Sequence, residues 1–202
     1  MKFNLSRTDF YTKKAKEEGF PARSVYKLKE INKKFNLLKK GGKVLDLGCA
    51  PGSWLLYLSN EVGEHGKVVG VDLNEIKIVM PKNVIFLREN IFTINLNDRQ
   101  SLWKRANSKF DLIASDLAPQ TTGLKERDAA LSLELCQRAF EIAQKKLVRG
   151  GNFVCKAFES PDSQDFLQQV KTKFNKAQLF KTKSTTKHSR EVFVIALDFL
   201  EP

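Results

Sequence analysis

From Lys43 onward the apolar residues come in short runs separated by longer stretches in which they recur every three or four positions. The runs predict strands at 43–47, 67–72, 84–87, 110–115 and 151–157, and the spaced stretches predict helices at about 53–61, 98–106, 127–148 and 162–174. Such alternation argues for a parallel sheet with helices on both faces. Gly150-Gly151 is the expected stop for the helix ending near Leu147, and Ser160-Pro161-Asp162 is a good helix start, with a capping side chain, a first-turn proline and an acid. The runs at 176–181 and 191–198 predict two more strands. The loop between them is too short for a crossover helix, so they should pair antiparallel. Ahead of the sheet, residues 7–38 predict two helices broken near Gly19-Phe20-Pro21. Pro21 should open the second, where Val25, Leu28 and Ile31 recur at helical spacing. The expected architecture is therefore a mostly parallel seven-stranded sheet with an antiparallel last strand and helices on both faces.

Composition adds three bounds. The chain has 202 residues, which fits one domain: a helical segment over 1–40 and an α/β core over 41–202. Its formal net charge is +12, from 35 basic and 23 acidic residues, an imbalance that a phosphate-rich partner would explain. The three cysteines (Cys49, Cys136, Cys155) show no metal-ligand spacing and cannot all pair, which suits a reducing cytoplasm. The N-terminus lacks the apolar stretch of a signal peptide, and no run is long enough to cross a membrane. No apolar stripe is left over for an interface, so a monomer is expected.

The segment Val44-Leu-Asp-Leu-Gly-Cys-Ala-Pro-Gly-Ser-Trp54 is a strand, a glycine turn and a helix start. Gly48 and Gly52 let the backbone turn tightly and approach a ligand. Asp72 ends the next strand 24 residues after Gly48, where a carboxylate can accept both ribose hydroxyls of a bound nucleoside. The turn lacks the G-x-G-x-x-G spacing that cradles a pyrophosphate, which disfavours a dinucleotide. Asp46 also disfavours a phosphate and suits the cationic methionine end of S-adenosylmethionine. Asn90, after the third strand, could meet an adenine edge or be an ordinary polar loop residue.

Four further residues sit at the ends of different elements: Lys27 in a basic helix, Asp116 closing the run from Phe110, Lys156 closing the run from Gly151, and Glu191 opening the last strand. Taken singly they are a solvated lysine, a snorkelling lysine and two ordinary carboxylates. Together they suggest proton handling, and with the glycine turn they point to methyl transfer onto RNA. A ribose 2′-hydroxyl is a poor nucleophile that needs alignment and a proton acceptor. Lys156 is the candidate base. A free lysine amine titrates at about 10.4, and burial or a second ammonium pushes such a group down, whereas a carboxylate pushes it up. Asp116 is expected to orient Lys156, and Glu191 to position the ribose or Lys27.

These residues resemble the FtsJ (also called RrmJ) family of ribosomal RNA 2′-O-ribose methyltransferases over nearly the whole chain. The blocks are Arg23-Ser-Val-Tyr-Lys-Leu-Lys-Glu-Ile31, Asp46-Leu-Gly-Cys-Ala-Pro-Gly-Ser-Trp54, Ser115-Asp-Leu-Ala-Pro119, Gly150-Gly-Asn-Phe-Val-Cys-Lys-Ala-Phe158 and Ser189-Arg-Glu-Val-Phe193. The resemblance implies a Rossmann-like class I S-adenosylmethionine-dependent methyltransferase fold. It implies a catalytic tetrad at Lys27, Asp116, Lys156 and Glu191, and cofactor contacts at Gly52, Trp54, Asp72 and Asp116. It implies 2′-O-methylation of a uridine in 23S-type rRNA within the large ribosomal subunit. The family has aspartate where this chain has Asn90, and a glycine where it has Ser53. The RNA would lie across Lys13, Lys14, Lys16, Arg23, Lys33, Lys34, Lys181, Lys183, Lys187, His188 and Arg190, contacts that hold the backbone without reading sequence. His188 is read as a solvated loop residue, and Trp103 and the phenylalanines as core. The rivals are a transfer-RNA 2′-O-methyltransferase, a non-catalytic RNA-binding assembly factor and a small-molecule methyltransferase.

Overall fold

A computed structural model describes residues 7–94, 109–186 and 189–200. The elements run α1 (Arg7–Glu17), α2 (Val25–Phe35), β1 (Lys43–Leu47), α3 (Ser53–Val62), β2 (Lys67–Asp72), β3 (Val84–Arg88), β4 (Phe110–Ser115), α4 (Lys125–Lys146), β5 (Leu147–Phe158), α5 (Pro161–Lys171), β6 (Phe174–Phe180) and β7 (Glu191–Phe199). The helix expected at 98–106, with Trp103, lies outside the described residues.

The seven strands form one sheet in the order β3-β2-β1-β4-β5-β7-β6. Strands β1 to β5 pair in parallel, and β7 runs antiparallel to both β5 and β6. The chain moves outward from β1 through β2 to β3, then returns to the other side of β1 with β4. The strand order thus reverses between β1 and β4, the switch point outside whose carboxyl ends open α/β sheets bind ligands.

Alternation along each strand assigns its two faces. Leu45, Leu47, Val69, Val71, Ile113, Phe153 and Cys155 pack with α4 and α5 into one core, where Phe140 meets Phe153, Phe166 and Phe174 edge-on or tilted. Val44, Val68, Leu112, Ala114, Val154 and Phe193 pack on the other face against α2 and α3. The capping box at Ser160 forms as its sequence indicates, Ser163 supplying the reciprocal bond.

Two expectations are corrected. Gly150-Gly151 does not follow a helix end: α4 stops at Lys146 and β5 begins at once at Leu147. The glycines lie inside β5, where the pairing jumps from Phe110↔Leu147 to Leu112↔Asn152, and Gly150 takes φ 75° in the resulting bulge. Pro21 does not open α2, which starts four residues later at Val25 after a turn over 21–24.

Candidate active site

The strand periodicity that builds the sheet also assembles the site. Asp46 lies on the face of Val44, Asp72 on that of Val68, and Asp116 on that of Leu112 and Ala114. Lys156 shares the face of Val154, and Glu191 that of Phe193. Four polar side chains from four strands, with Asp116 just past the end of β4, therefore stand on the α2/α3 face at the sheet end beyond the switch point.

On the β1 side the glycine turn sets the geometry. Gly48 has φ 78° and its N–H donates to Val71 O at 2.8 Å; a Cβ there would lie 2.8 Å from Leu117 Cδ2, so only glycine lets the β1 turn meet the chain leaving β4. Gly52, with φ 108°, caps α3 without a side-chain acceptor, and a Cβ there would lie 2.6 Å from Ile78 Cδ1. The first N–H groups of α3 thus face the turn, an end that favours negative charge.

Asp46 is fully buried, and neither of its carboxylate oxygens has a hydrogen-bond partner. Its register neighbours are Gly70 on β2 and Ala114 on β4, so small residues flank it on both sides. Burial, then the charges of Asp116 and Asp72, push its carboxyl well above the usual carboxylate range. An unsatisfied buried acceptor costs about 1–3 kcal/mol, and more when charged. Burial and then the charges of Asp46 and Asp72 also push the Cys49 thiol up, which keeps it from serving as a thiolate. Asp72 is better satisfied: Oδ2 accepts from Ala50 N at 2.9 Å, and Oδ1 from Asn74 N at 2.8 Å and Asn74 Nδ2 at 3.1 Å.

Across the switch point the carboxylates already hold cations. Lys156, only 7% exposed, donates to the Asp116 backbone carbonyl at 2.7 Å and lies 3.0 Å from Asp116 Oδ1, an ion contact off the angle of a hydrogen bond. Asp116 N in turn donates to Leu47 O at 3.2 Å, tying the ends of β1 and β4. Lys27 donates to Glu191 Oε2 at 2.6 Å, with both side chains largely buried, and stands 6.0 Å from the Phe193 ring centre. Lys156 is the cross-strand partner of Phe193, and Glu191 lies two residues back on the same face, so the two ion pairs flank Phe193. The structure brings the four residues together as two lysine–carboxylate pairs.

Several of the expected site residues have partners within the chain. The Trp54 indole, 2% exposed, donates to Ser24 O at 3.0 Å and packs tilted against Phe193; with Ala22 N donating to Ser53 Oγ at 2.6 Å, it ties the start of α3 to the turn before α2. Asn90 Oδ1 accepts from Phe92 N at 2.9 Å, closing a turn of its own. Arg190 is tied down, donating to Lys125 O at 2.9 Å. Lys13 and Lys14 pair with Glu17 and Glu18, while Lys34 lies over the Phe180 ring. Lys187 and His188 lie outside the described residues.

A buried hydroxyl cluster escaped the sequence reading. Thr185 donates to Glu191 Oε1 at 3.0 Å, Thr182 and Thr185 share a hydrogen bond of 2.8 Å, and Ser184 donates to Thr182 at 3.3 Å. Both Glu30 oxygens accept from Lys183 N, at 2.9 and 2.8 Å, latching this loop to α2. The only sequence signal was a run of hydroxyl residues ahead of Ser189-Arg-Glu191.

Comparison with known proteins meets this geometry. The model of the FtsJ-like methyltransferase family matches residues 20–199. The chain belongs to the FtsJ-like methyltransferase family. Among curated family relatives, "Ribosomal RNA large subunit methyltransferase E" of Desulforapulum autotrophicum is 44% identical over 189 residues, covering 94% of this chain and 91% of that one. The Bdellovibrio bacteriovorus protein of the same name is 43% identical over 191 residues, covering 94% and 95%. Among solved structures, a Plasmodium falciparum protein described as a ribosomal RNA methyltransferase superposes with a TM-score of 0.78 at 27% identity, over 91% of this chain and 100% of that chain. A Streptococcus mutans protein described as a methyltransferase, solved in complex with SAH, shares the fold at a TM-score of 0.53 and 16% identity, over 81% of this chain and 90% of that chain. The match to a methyltransferase family agrees with the S-adenosylmethionine dependence expected from the sequence of this site. Its acidic side fits that cofactor, because the unpartnered Asp46 oxygens suit the ammonium of a methionine and the open α3 start suits its carboxylate.

Proposed function

We propose that this FtsJ-like protein methylates the 2′-hydroxyl of a ribose in large-subunit ribosomal RNA, a uridine's, within the large ribosomal subunit. The observation that carries the reading is the juxtaposition of Asp46, buried without partners, with the Lys156–Asp116 pair across the switch point. It is supported by the names of relatives at 44% identity and by the net charge of +12.

S-adenosylmethionine supplies, when bound, a methyl group on a cationic sulfur. Asp46 and the start of α3 would hold its amino-acid end, Asp72 would accept from its ribose, and Gly48 and Gly52 would shape the turn beside it. Asn90 would meet its adenine edge, and Trp54 would contribute through its backbone, its indole being held by Ser24 O. Asp116 holds Lys156 through its carbonyl and its carboxylate, so the lysine has little conformational freedom to lose. Lys156 Nζ would take the 2′-hydroxyl proton as the methyl–oxygen bond forms and the bond from that methyl to sulfur breaks. Glu191 fixes Lys27 beside it, where the ammonium steadies the ribose and its phosphate.

Labelled methyl offered with large-subunit particles, protein-free rRNA and tRNA from an unmethylated strain tests the substrate. Label in the particles supports the reading; label confined to tRNA replaces it with the transfer-RNA activity.

A further inference from the structure

The sheet has a second charged end. Strands β1 to β5 run in parallel, so they all begin at the end opposite the site. Each begins at or just after a lysine. In sheet order these are Lys82 before β3, Lys67 opening β2, Lys43 opening β1, Lys109 before β4 and Lys146 before β5. With strands about 4.8 Å apart, the row extends for about 19 Å. Lys43 and Lys67 are direct register partners. Burial and then the neighbouring Lys109 lower the amine of Lys146, so these two members of the row are close enough to sense one another.

Helix ends do not account for it. Lys145 and Lys146 lie in the last turn of α4, where a cation offsets the helix dipole, but Lys43, Lys67, Lys82 and Lys109 belong to strand starts. Asp111 offsets part of the row, since Lys39 Nζ lies 2.6 Å from its carboxylate and Lys43 N donates to it at 2.8 Å, but among the described residues of the row lysines outnumber acids. Over the β3-β2-β1 part of the row lies an open groove of about 990 Å³, lined by Lys43, Lys67, Lys82 and His65 with Glu64 as its acid.

We propose that this groove and lysine row form a second RNA-binding surface. It grips the phosphate backbone of an rRNA segment other than the one presented to the site. The two surfaces lie at opposite ends of the strands, separated by at least the length of β1, about 16 Å. A folded rRNA, with segments converging in space, can engage both ends at once. The proposal rests on the large-subunit reading above. Its chemistry is charge neutralisation without base readout, so its signature is salt dependence.

The test uses the full chain with Lys43→Gln, Lys67→Gln and Lys82→Gln combined, and large-subunit particles from an unmethylated strain. KM for the particles is expected to rise about tenfold, with kcat and cofactor affinity unchanged. The log–log salt slope of particle binding should become shallower by about 2–3. If KM and the slope both stay at their wild-type values, the proposal is overturned. Thermal melting checks folding, and Lys82→Glu, a single change at an exposed loop position, gives the same direction of effect if the triple variant unfolds. If the wild type transfers no methyl to the particles, the activity reading fails, and the binding slopes still decide the surface.

Discussion

The two sides of the switch point use the same chemistry in opposite states. On the β1/β2 side, Asp46 is buried with both oxygens unpartnered, and its neighbours are acids. On the β4/β5/β7 side each carboxylate holds a lysine, Asp116 with Lys156 and Glu191 with Lys27. The first side carries a negative surplus that an arriving cation can relieve. The second has neutralised itself and gains from that a fixed pair of amines. On the function proposed above this divides the labour: one side binds, the other handles the proton.

The sharpest way to break the comparison is Lys156→Ala. Turnover should fall by about 10²–10⁴-fold, the usual contribution of a positioned acid–base group, while calorimetry still shows S-adenosylmethionine binding. Near-normal turnover would take Lys156 out of the chemistry. The mirror experiment is Asp72→Ala, which should weaken cofactor affinity by about tenfold or more, one charged hydrogen bond being worth about 1.5–3 kcal/mol, and leave turnover at saturating cofactor much less affected. Unchanged affinity would refute the ribose contact.

Asp46 gives a pH test. Its folded carboxyl titrates above the unfolded value of about 3.9, so the folded chain binds that proton more tightly than the unfolded chain does. The stability it contributes is fully present below pH 4 and is lost as pH rises from there through the raised folded value. Cofactor-free Asp46→Asn should therefore be more stable than wild type near pH 7, with a flatter melting-temperature profile above pH 4. Equal profiles would mean Asp46 is not perturbed. The smallest effect belongs to Thr185→Val, which removes a hydroxyl from Glu191 Oε1. A few-fold loss in kcat with cofactor affinity intact, restored by Thr185→Ser, would mark Thr185 as a positioning residue. No loss would make the cluster purely structural.

Much of this was legible because strand alternation is a strict rule. Once β1, β2, β4, β5 and β7 are located, parity alone places Asp46, Asp72, Asp116, Lys156 and Glu191 on one face. What sequence could not reveal depends on contacts between distant segments. Gly150-Gly151 carries the same local signal for a helix stop and for a bulge, and only pairing with β4 decides between them. The Trp54 indole could have faced a ligand or Ser24 O, and the fold of 21–24 directs it to Ser24. Nothing local distinguishes Thr185 from neighbouring hydroxyls until β6 and β7 bring its loop against α2.

The most direct measurement is the position of the methyl group. Labelled RNA from wild-type and Lys156→Ala reactions on large-subunit particles would be digested with alkali, which does not cleave after a 2′-O-methylated ribose. The account predicts label in alkali-resistant dinucleotides with wild type and none with Lys156→Ala. Label released in mononucleotides would mean base methylation, and an active Lys156→Ala would contradict the division of the site proposed here.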